Sequence, residues 1–328
     1  MLGVSISTVG RALADRSEIS EAMKARVRAL AEEHGYVAHS AARSMRTGHS
    51  TLIGLIVPDV RNDFYGAAAM ALAKCCEDAG FQLVLAATRD DPDSELKQVR
   101  SLVEARAAGV VIALSPSPRR ETLALVRRSL ATELIRDVAG GDTPWFGIDD
   151  HRGIETATLH LLDGGHRRIG YVGGHEALST GRDRHAGFVG AFARRGVDLP
   201  VDLVRMGPPD ACFAEKAMAE LWSLPQKPTA VVAAGAELTV GVLEAIGSLG
   251  IEVPTDLSVV GFGDAPWFRW WGPGLTTMAL PVYELAYACG GHLLRRIEHP
   301  GPVTDEQSPR YRAMHSPTLI VRGSTANV

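Results

Sequence analysis

From residue 51 onward, short apolar runs alternate with helical stretches, and no other feature restricts the possible folds as tightly. Leu52–Val57 is followed by a helical pattern over about Phe64–Ala79, Gln82–Ala87 by one from about Ser94, and Gly109–Leu114 by one near Glu121–Ser129. A second series begins at His166–Gly174 and continues through Ala230–Ala234 and Leu257–Phe262. Strands joined through helices pair in parallel by right-handed crossovers. The sequence therefore predicts two α/β halves built on parallel sheets.

The 328 residues suffice for two or three compact units, and 46% hydrophobic with 22% charged residues is ordinary for a soluble globular chain. No apolar run reaches the roughly 20 residues a membrane helix needs, and the start lacks a basic stretch followed by an apolar one, so neither membrane nor secretion is expected. Four cysteines without metal-type Cys/His spacing fit a reduced, cytoplasmic protein with no metal and no cofactor. Charge is uneven: residues 1–50 hold seven Arg or Lys against five acids, a net of +2, which leaves −6 of the total −4 to the remainder. That asymmetry is compatible with a nucleic-acid-binding head on an acidic body.

The head itself reads as the turn and second helix of a helix-turn-helix. Ser5 can cap a helix running to about Ala14, with Thr8 one turn on and Val9, Ala12 and Leu13 as its buried stripe. Ile6, Ser7, Gly10 and Arg11 then face outward, where Arg11 could read guanine or clamp a phosphate and Ser7 could contact either base type. The same segment also reads as a short solvated helix with an incidental arginine. A further helix runs from the candidate cap Ser20, through the stripe Met23, Val27, Leu30 and Ala31, to the stop at Gly35. A small, basic stretch follows over residues 36–48, with Met45 as its single large apolar residue after Val37.

The order VSISTVGRAL, ISEAMKARVRALAEEHGY, VAHSAARSMRTGHS and TLIGLIVPD resembles the head and hinge of the LacI family of bacterial transcription regulators, and the resemblance continues through the body. It implies a small all-α helix-turn-helix head with a hinge helix, followed by a two-subdomain α/β body like that of the periplasmic binding proteins. The implied boundaries are 1–37 for the head, 38–50 for the hinge and linker, and 51–328 for the body. Within the body, 51–149 with 279–309 and 150–278 with 310–328 would form the two subdomains. Ser5, Ile6, Ser7, Thr8 and Arg11 would meet DNA. Ala42, Arg43, Met45 and Arg46 would do so from the hinge, with Met45 as the apolar wedge in the minor groove. The partners implied are a pseudo-palindromic operator in double-stranded DNA, a second copy of the chain, and a small-molecule effector. The family's heads usually open with a further helix, which this sequence lacks before its turn. That departure leads to an expectation of Val9, Leu13 and Val27 partly exposed, and to a rival reading of a small-molecule-binding protein that has lost DNA binding.

Ligands of open α/β sheets sit at the carboxyl ends of the strands. Asp59, Asn62, Phe64 and Tyr65 follow the first strand there, and the resemblance aims Arg184 at the effector; the alternative for Arg184 is a surface ion pair with Asp183 or another acid. Asp264 and Trp267 complete the candidate set. Three positions depart from the sugar-binding pattern: Gly235-Ala236 in place of Asn-Asp, Gly263 in place of Asp, and Leu280 in place of Gln. With three Trp between Trp267 and Trp271, these changes suggest a carbohydrate site of reduced polarity or a less polar ligand, or else aromatics at a subunit interface. Gly170–Gly174 lacks the dinucleotide spacing, and no catalytic constellation is present, so an enzyme is not expected.

Overall fold

A computed structural model describes residues 3–13, 15–34, 50–138, 143–299 and 311–328. The chain divides into two compact units, Met1–Ser50 and Thr51–Val328. In the first, α1 (Ile6–Leu13) packs against α2 (Glu21–Glu33). The Ser5 hydroxyl accepts from the Thr8 amide at 3.2 Å, which starts α1 where the sequence places its cap. Ala12 and Val27 are buried, whereas Val9 and Leu13 are half-buried. Full burial of Val27 differs from the expected partial exposure: the face of α2 that carries it lies under α1, and the buried Lys24 closes the same side through ion pairs to Asp15 and Glu21.

The second unit holds two six-stranded sheets. The first contains β1 (Leu52–Val57), β2 (Gln82–Ala87), β3 (Gly109–Ile112), β4 (Ala131–Leu134) and β5 (Trp145–Ile148); the second contains β6 (Ile169–Gly174), β7 (Val204–Gly207), β8 (Ala230–Ala233), β9 (Ser258–Phe262) and β10 (Thr276–Ala279). The last two strands, β11 (Arg312–His315) and β12 (Thr318–Ile320), go one to each sheet. The orders β2-β1-β3-β4-β5-β11 and β7-β6-β8-β9-β10-β12 are the same arrangement twice, parallel throughout except for the β10–β12 pair.

Strand alternation divides each sheet's apolar side chains between two layers. Ile53, Leu55 and Val57 of β1 join one core with α3 (Asp63–Asp78), while Ile56 joins another with α4 (Pro92–Glu104) and α5 (Arg120–Arg128). In the second sheet Tyr171, Val232 and Phe262 pack with α6 (Asp150–Asp163) and α7 (Ser179–Arg195). Val172, Val231 and Val259 pack with α8 (Ala211–Ser223) and α9 (Ala236–Leu249) on the other face. The last helix, α10 (Val282–Glu298), returns to the first core. Helices begin directly beyond strand ends on Asx caps: Asn62, Asp91 followed by Pro92, Asp149 and Asp210 each accept from an amide of the first turn.

The chain passes between the sheets three times. It leaves β5 for α6 at Asp149, leaves β10 for α10 through Leu280, and leaves β11 for β12 between His315 and Thr318. The third passage comes later than the position near Arg310 expected from the sequence, because Arg312–His315 still pairs with Trp145–Ile148. The Asp149 amide donates to the His315 carbonyl at 2.9 Å, so the first and third connections lie side by side. Leu280 in the second touches the cores of both sheets.

The helix pairs that cover the second sheet meet closely at glycine. A Cβ on Gly187 of α7 would overlap the His151 carbonyl of α6, and one on Gly241 of α9 would overlap the Ala211 carbonyl of α8. Gly187→Ala should force α6 and α7 apart and lower the unfolding free energy by about 1–3 kcal/mol. Urea denaturation followed by circular dichroism measures this, and an unchanged midpoint would contradict the close approach.

Candidate functional site

The carboxyl ends of both sheets open on one cleft, with a volume of about 1200 Å³. Asp59, Asn62, Phe64, Tyr65, Arg184, Asp264 and Trp267, all expected to meet the effector, line it. The strand orders explain the convergence: β1 and β6 are the points where each order reverses, and loops beyond them splay apart to leave a crevice. Asn62 is partly committed, since its side-chain oxygen accepts from the Phe64 amide at 3.0 Å. Phe64 and Tyr65 stand edge to face at 5.2 Å between ring centroids. Burial raises the proton affinity of the Tyr65 hydroxyl, which stays neutral.

Arg184 combines both readings of its sequence position. It faces the cleft and is also ion-paired, yet its partner is the buried Asp150 and not Asp183, whose carboxylate lies nearest Arg182. Nε donates to Asp150 Oδ1 at 2.7 Å, Nη1 donates to the Ala234 carbonyl at 3.1 Å, and the guanidinium lies 4.1 Å from the centre of the Phe262 ring. Burial pushes Asp150 up to about 6, against the opposing pull of Arg184.

Two residues that the sequence reasoning missed form a matching pair in the first subdomain. Arg136, beyond β4, is buried and forms a two-pronged ion pair with Asp90, beyond β2; Nη2 to Oδ2 is 3.0 Å. Nη1 of Arg136 also donates to the Leu114 carbonyl at 3.0 Å, so one guanidinium spans the edge of the sheet. The backbone is unusual at the same place. Arg89, Asp90 and Ile135 have φ of 56°, 58° and 63°, and all three line the cleft. A β-branched residue such as Ile135 seldom occupies the left-handed region, and strain of this kind collects at functional sites.

Asp264 is held from outside the cleft by Arg322, at 2.8 and 3.0 Å, so its carboxylate is already neutralised. Asp59 is likewise held by Arg61, whose hydrogen bonds keep the Asp59 carboxyl below the usual carboxylate range. Among the described residues Glu237, at the start of α9, forms no such ion pair; burial and the nearby Asp59 raise its proton affinity, against the pull of Arg61. The aromatic segment divides by position. Trp267 lines the cleft beside Phe268, Trp271 packs on the second sheet's core, and Trp270 is 76% exposed. Gly235, Gly263 and Leu280 also line the cleft and offer it no polar side-chain group.

On the head, Ser5, Ile6, Ser7 and Arg11 are exposed, and Ile6 is 93% exposed, which is unusual for a large aliphatic side chain. Thr8 is half-buried and shares a hydroxyl contact of 2.9 Å with Ser5. Ala42, Arg43, Met45 and Arg46 lie outside the described residues.

The raised proton affinity of Asp150 has a definite sign. Below about pH 4 the group is protonated in both folded and unfolded chains; between about 4 and 6 only the unfolded chain ionises fully. Its contribution to stability is therefore complete at low pH and is lost as the pH rises through about 6. Relative to Asp150→Asn, the native protein should lose on the order of 1–3 kcal/mol between pH 4 and pH 7. Parallel unfolding curves for the two proteins would reject this assignment.

The descriptions of two protein families match this chain: "Bacterial regulatory proteins, lacI family" over residues 2–39, and "Periplasmic binding protein-like domain" over residues 158–325, just over half of the chain. The HTH-type transcriptional regulator GalR of Escherichia coli is 28% identical over 327 residues, covering 99% of this chain and 94% of the relative. A LacI family transcriptional regulator from Mycobacterium smegmatis superposes with a TM-score of 0.74 at 27% identity, over 84% of this chain and 99% of that one. The lac repressor dimer bound to operator and the anti-inducer ONPF shares the fold, with a TM-score of 0.85 at 22% identity over 99% of this chain and 96% of that one. The chain belongs, over its body, to the family of periplasmic-binding-protein-like domains and carries a lacI-type helix-turn-helix segment ahead of it: it is a DNA-binding transcription regulator.

Proposed function

We propose that this chain is a cytoplasmic repressor that binds a pseudo-palindromic operator as a homodimer and is controlled by a small molecule held in the cleft of its body. The observation that carries the reading is the exposed face of α1. Ile6, Ser7 and Arg11 project from its start and middle while Ala12 is buried on the opposite side, which is the arrangement a recognition helix needs in a major groove. Arg11 reads guanine or clamps a phosphate, Ser7 contacts a base edge, and Ser5 and Thr8 face the backbone. Met45 serves as the minor-groove wedge, flanked by Ala42, Arg43 and Arg46.

A second copy is supported by an apolar surface on the first subdomain. Met70 of α3 is 74% exposed, Tyr283 and Tyr287 of α10 stack on each other in the open, and the edge strand β2 exposes Val84 and Leu85. A strand edge unpaired among the described residues, beside exposed apolar helices, needs a cover, and a two-fold partner supplies one. The effector, a carbohydrate or a less polar ligand, shifts operator affinity by binding the two relative positions of the subdomains unequally.

In a gel-shift titration with an operator selected from random duplexes, binding should weaken steeply with salt, and Arg11→Ala should weaken it by a further ten- to hundredfold. Failure of the unaltered chain to retain any duplex specifically would overturn the DNA-binding role. Separately, Arg184→Ala should bind the operator like the native protein yet no longer respond to the effector; an unchanged response removes Arg184 from the site.

A further inference from the structure

The two arginines in the floor of the cleft are each supplied with their own anion. Asp90 holds Arg136 in the first subdomain, and Asp150 holds Arg184 in the second. Three of these four residues are almost fully enclosed, since the side chains of Arg136, Asp150 and Arg184 are 7%, 4% and 14% exposed. Tyr65 lines the same cleft as Arg136, Asp90 and Arg184, and its hydroxyl feels the charges of both pairs. A buried ion pair adds little net stability compared with apolar side chains of the same size. The Arg136 pair is also held on strained backbone, because Asp90 and Ile135 both have positive φ. Two such pairs at the bottom of a ligand cleft therefore call for a reason other than stability.

We propose that Asp90 and Asp150 are specificity-determining residues: they neutralise the two floor arginines in advance, so that the cleft takes an effector without negative charge and rejects anionic ligands. This rests on the reading of the cleft as the effector site and narrows the class of ligand it admits. Bare guanidinium groups would draw carboxylates and phosphates. With Asp90 and Asp150 in place, such a group would have to settle beside a carboxylate that is already hydrogen-bonded and enclosed. The wider wall acts in the same direction. Four arginines and six carboxylates line the cleft, and the charges of Asp150 and Arg322 behind the wall cancel, leaving a formal balance of −2. What remains on offer is hydrogen bonding to neutral acceptors. Among the described residues Arg184 uses Nε and Nη1 internally and keeps Nη2, whereas Arg136 uses Nη1 and Nη2 and keeps Nε. The phenol of Tyr65 adds a donor, and Phe64 and Trp267 add apolar faces. An uncharged ligand with acceptor oxygens on one side and a carbon face on the other satisfies this set.

The test uses the full chain and inorganic phosphate as the anionic probe, read by the fluorescence of Trp267 with Trp267→Phe as the control. The native protein should show no saturable response in the millimolar range. Asp90→Asn and Asp150→Asn each uncover one arginine, and each should gain phosphate binding at least tenfold tighter than native, weakened by salt and abolished by adding Arg136→Gln or Arg184→Gln respectively. Saturable binding by the native protein equal to that of the variants would overturn the proposal, as would no gain in either folded variant. The two sites lie in different subdomains, so Asp90→Asn decides alone if Asp150→Asn fails to fold. Operator retention is measured in the same samples. Phosphate that binds an uncovered arginine without altering operator affinity leaves the charge selection standing and counts against the cleft as the effector site.

Discussion

A parallel sheet must be covered on both faces, and in this protein that requirement decides where everything else goes. Most strands of the body hand the chain to a helix that returns across one face, so all strands of a sheet except the antiparallel β12 end on the same edge. Helices begin at that edge on side-chain caps such as Asn62 and Asp210. Polar residues, first helical turns and backbone irregularities are thereby concentrated in one place, while the two faces are closed by apolar packing. With two sheets of the same order, the two edges form the opposing walls of a single cleft. Binding capacity here follows from the connectivity, and the identity of the residues at the strand ends sets only what is bound.

The sequence made the strongest elements legible because burial leaves a direct trace. Leu52–Val57 and the strands centred on Val172, Val232 and Val260 are nearly continuous apolar runs, and they occupy the interior of their sheets. The short strands β4 and β7 left no such trace. Ala131–Leu134 contains Thr132 and Glu133, and Val204–Gly207 contains Arg205, so neither stands out from a loop. The passage near Arg310 was misplaced for the same reason: Arg312–His315 carries two polar residues in four and owes its position to pairing with β5.

At the site, residues close to a strand end were readable and residues joined across the sheet were not. Asp59, Asn62, Phe64 and Tyr65 follow a visible strand, so their place in the cleft could be inferred from their order. Asp90 and Arg136 are separated by 46 positions and meet only because β2 and β4 lie on either side of β1 and β3. No local pattern announces such a pair. The positive φ values at Arg89, Asp90 and Ile135 carry no signature either, since none of these residues is a glycine or an asparagine. The partner of Arg184 was open to the sequence only as a choice among acids, and burial selected Asp150 over the adjacent Asp183.

The three connections between the sheets have a mechanical meaning. A single flexible link would let two bodies swing, slide and twist independently. Here two links run side by side, joined by the hydrogen bond from Asp149 to His315, and Pro317 of the third link sits against Gly153 just inside the first, 2.8 Å from where a Cβ would stand. The third point of attachment, Leu280, is wedged between both cores. Such a bearing suppresses sliding and leaves rotation about one axis as the inexpensive motion. Asp150 is the first residue beyond one of these links and grips Arg184, so the cleft is tied directly to the axle, and any small turn there becomes a large displacement at the far ends of the subdomains.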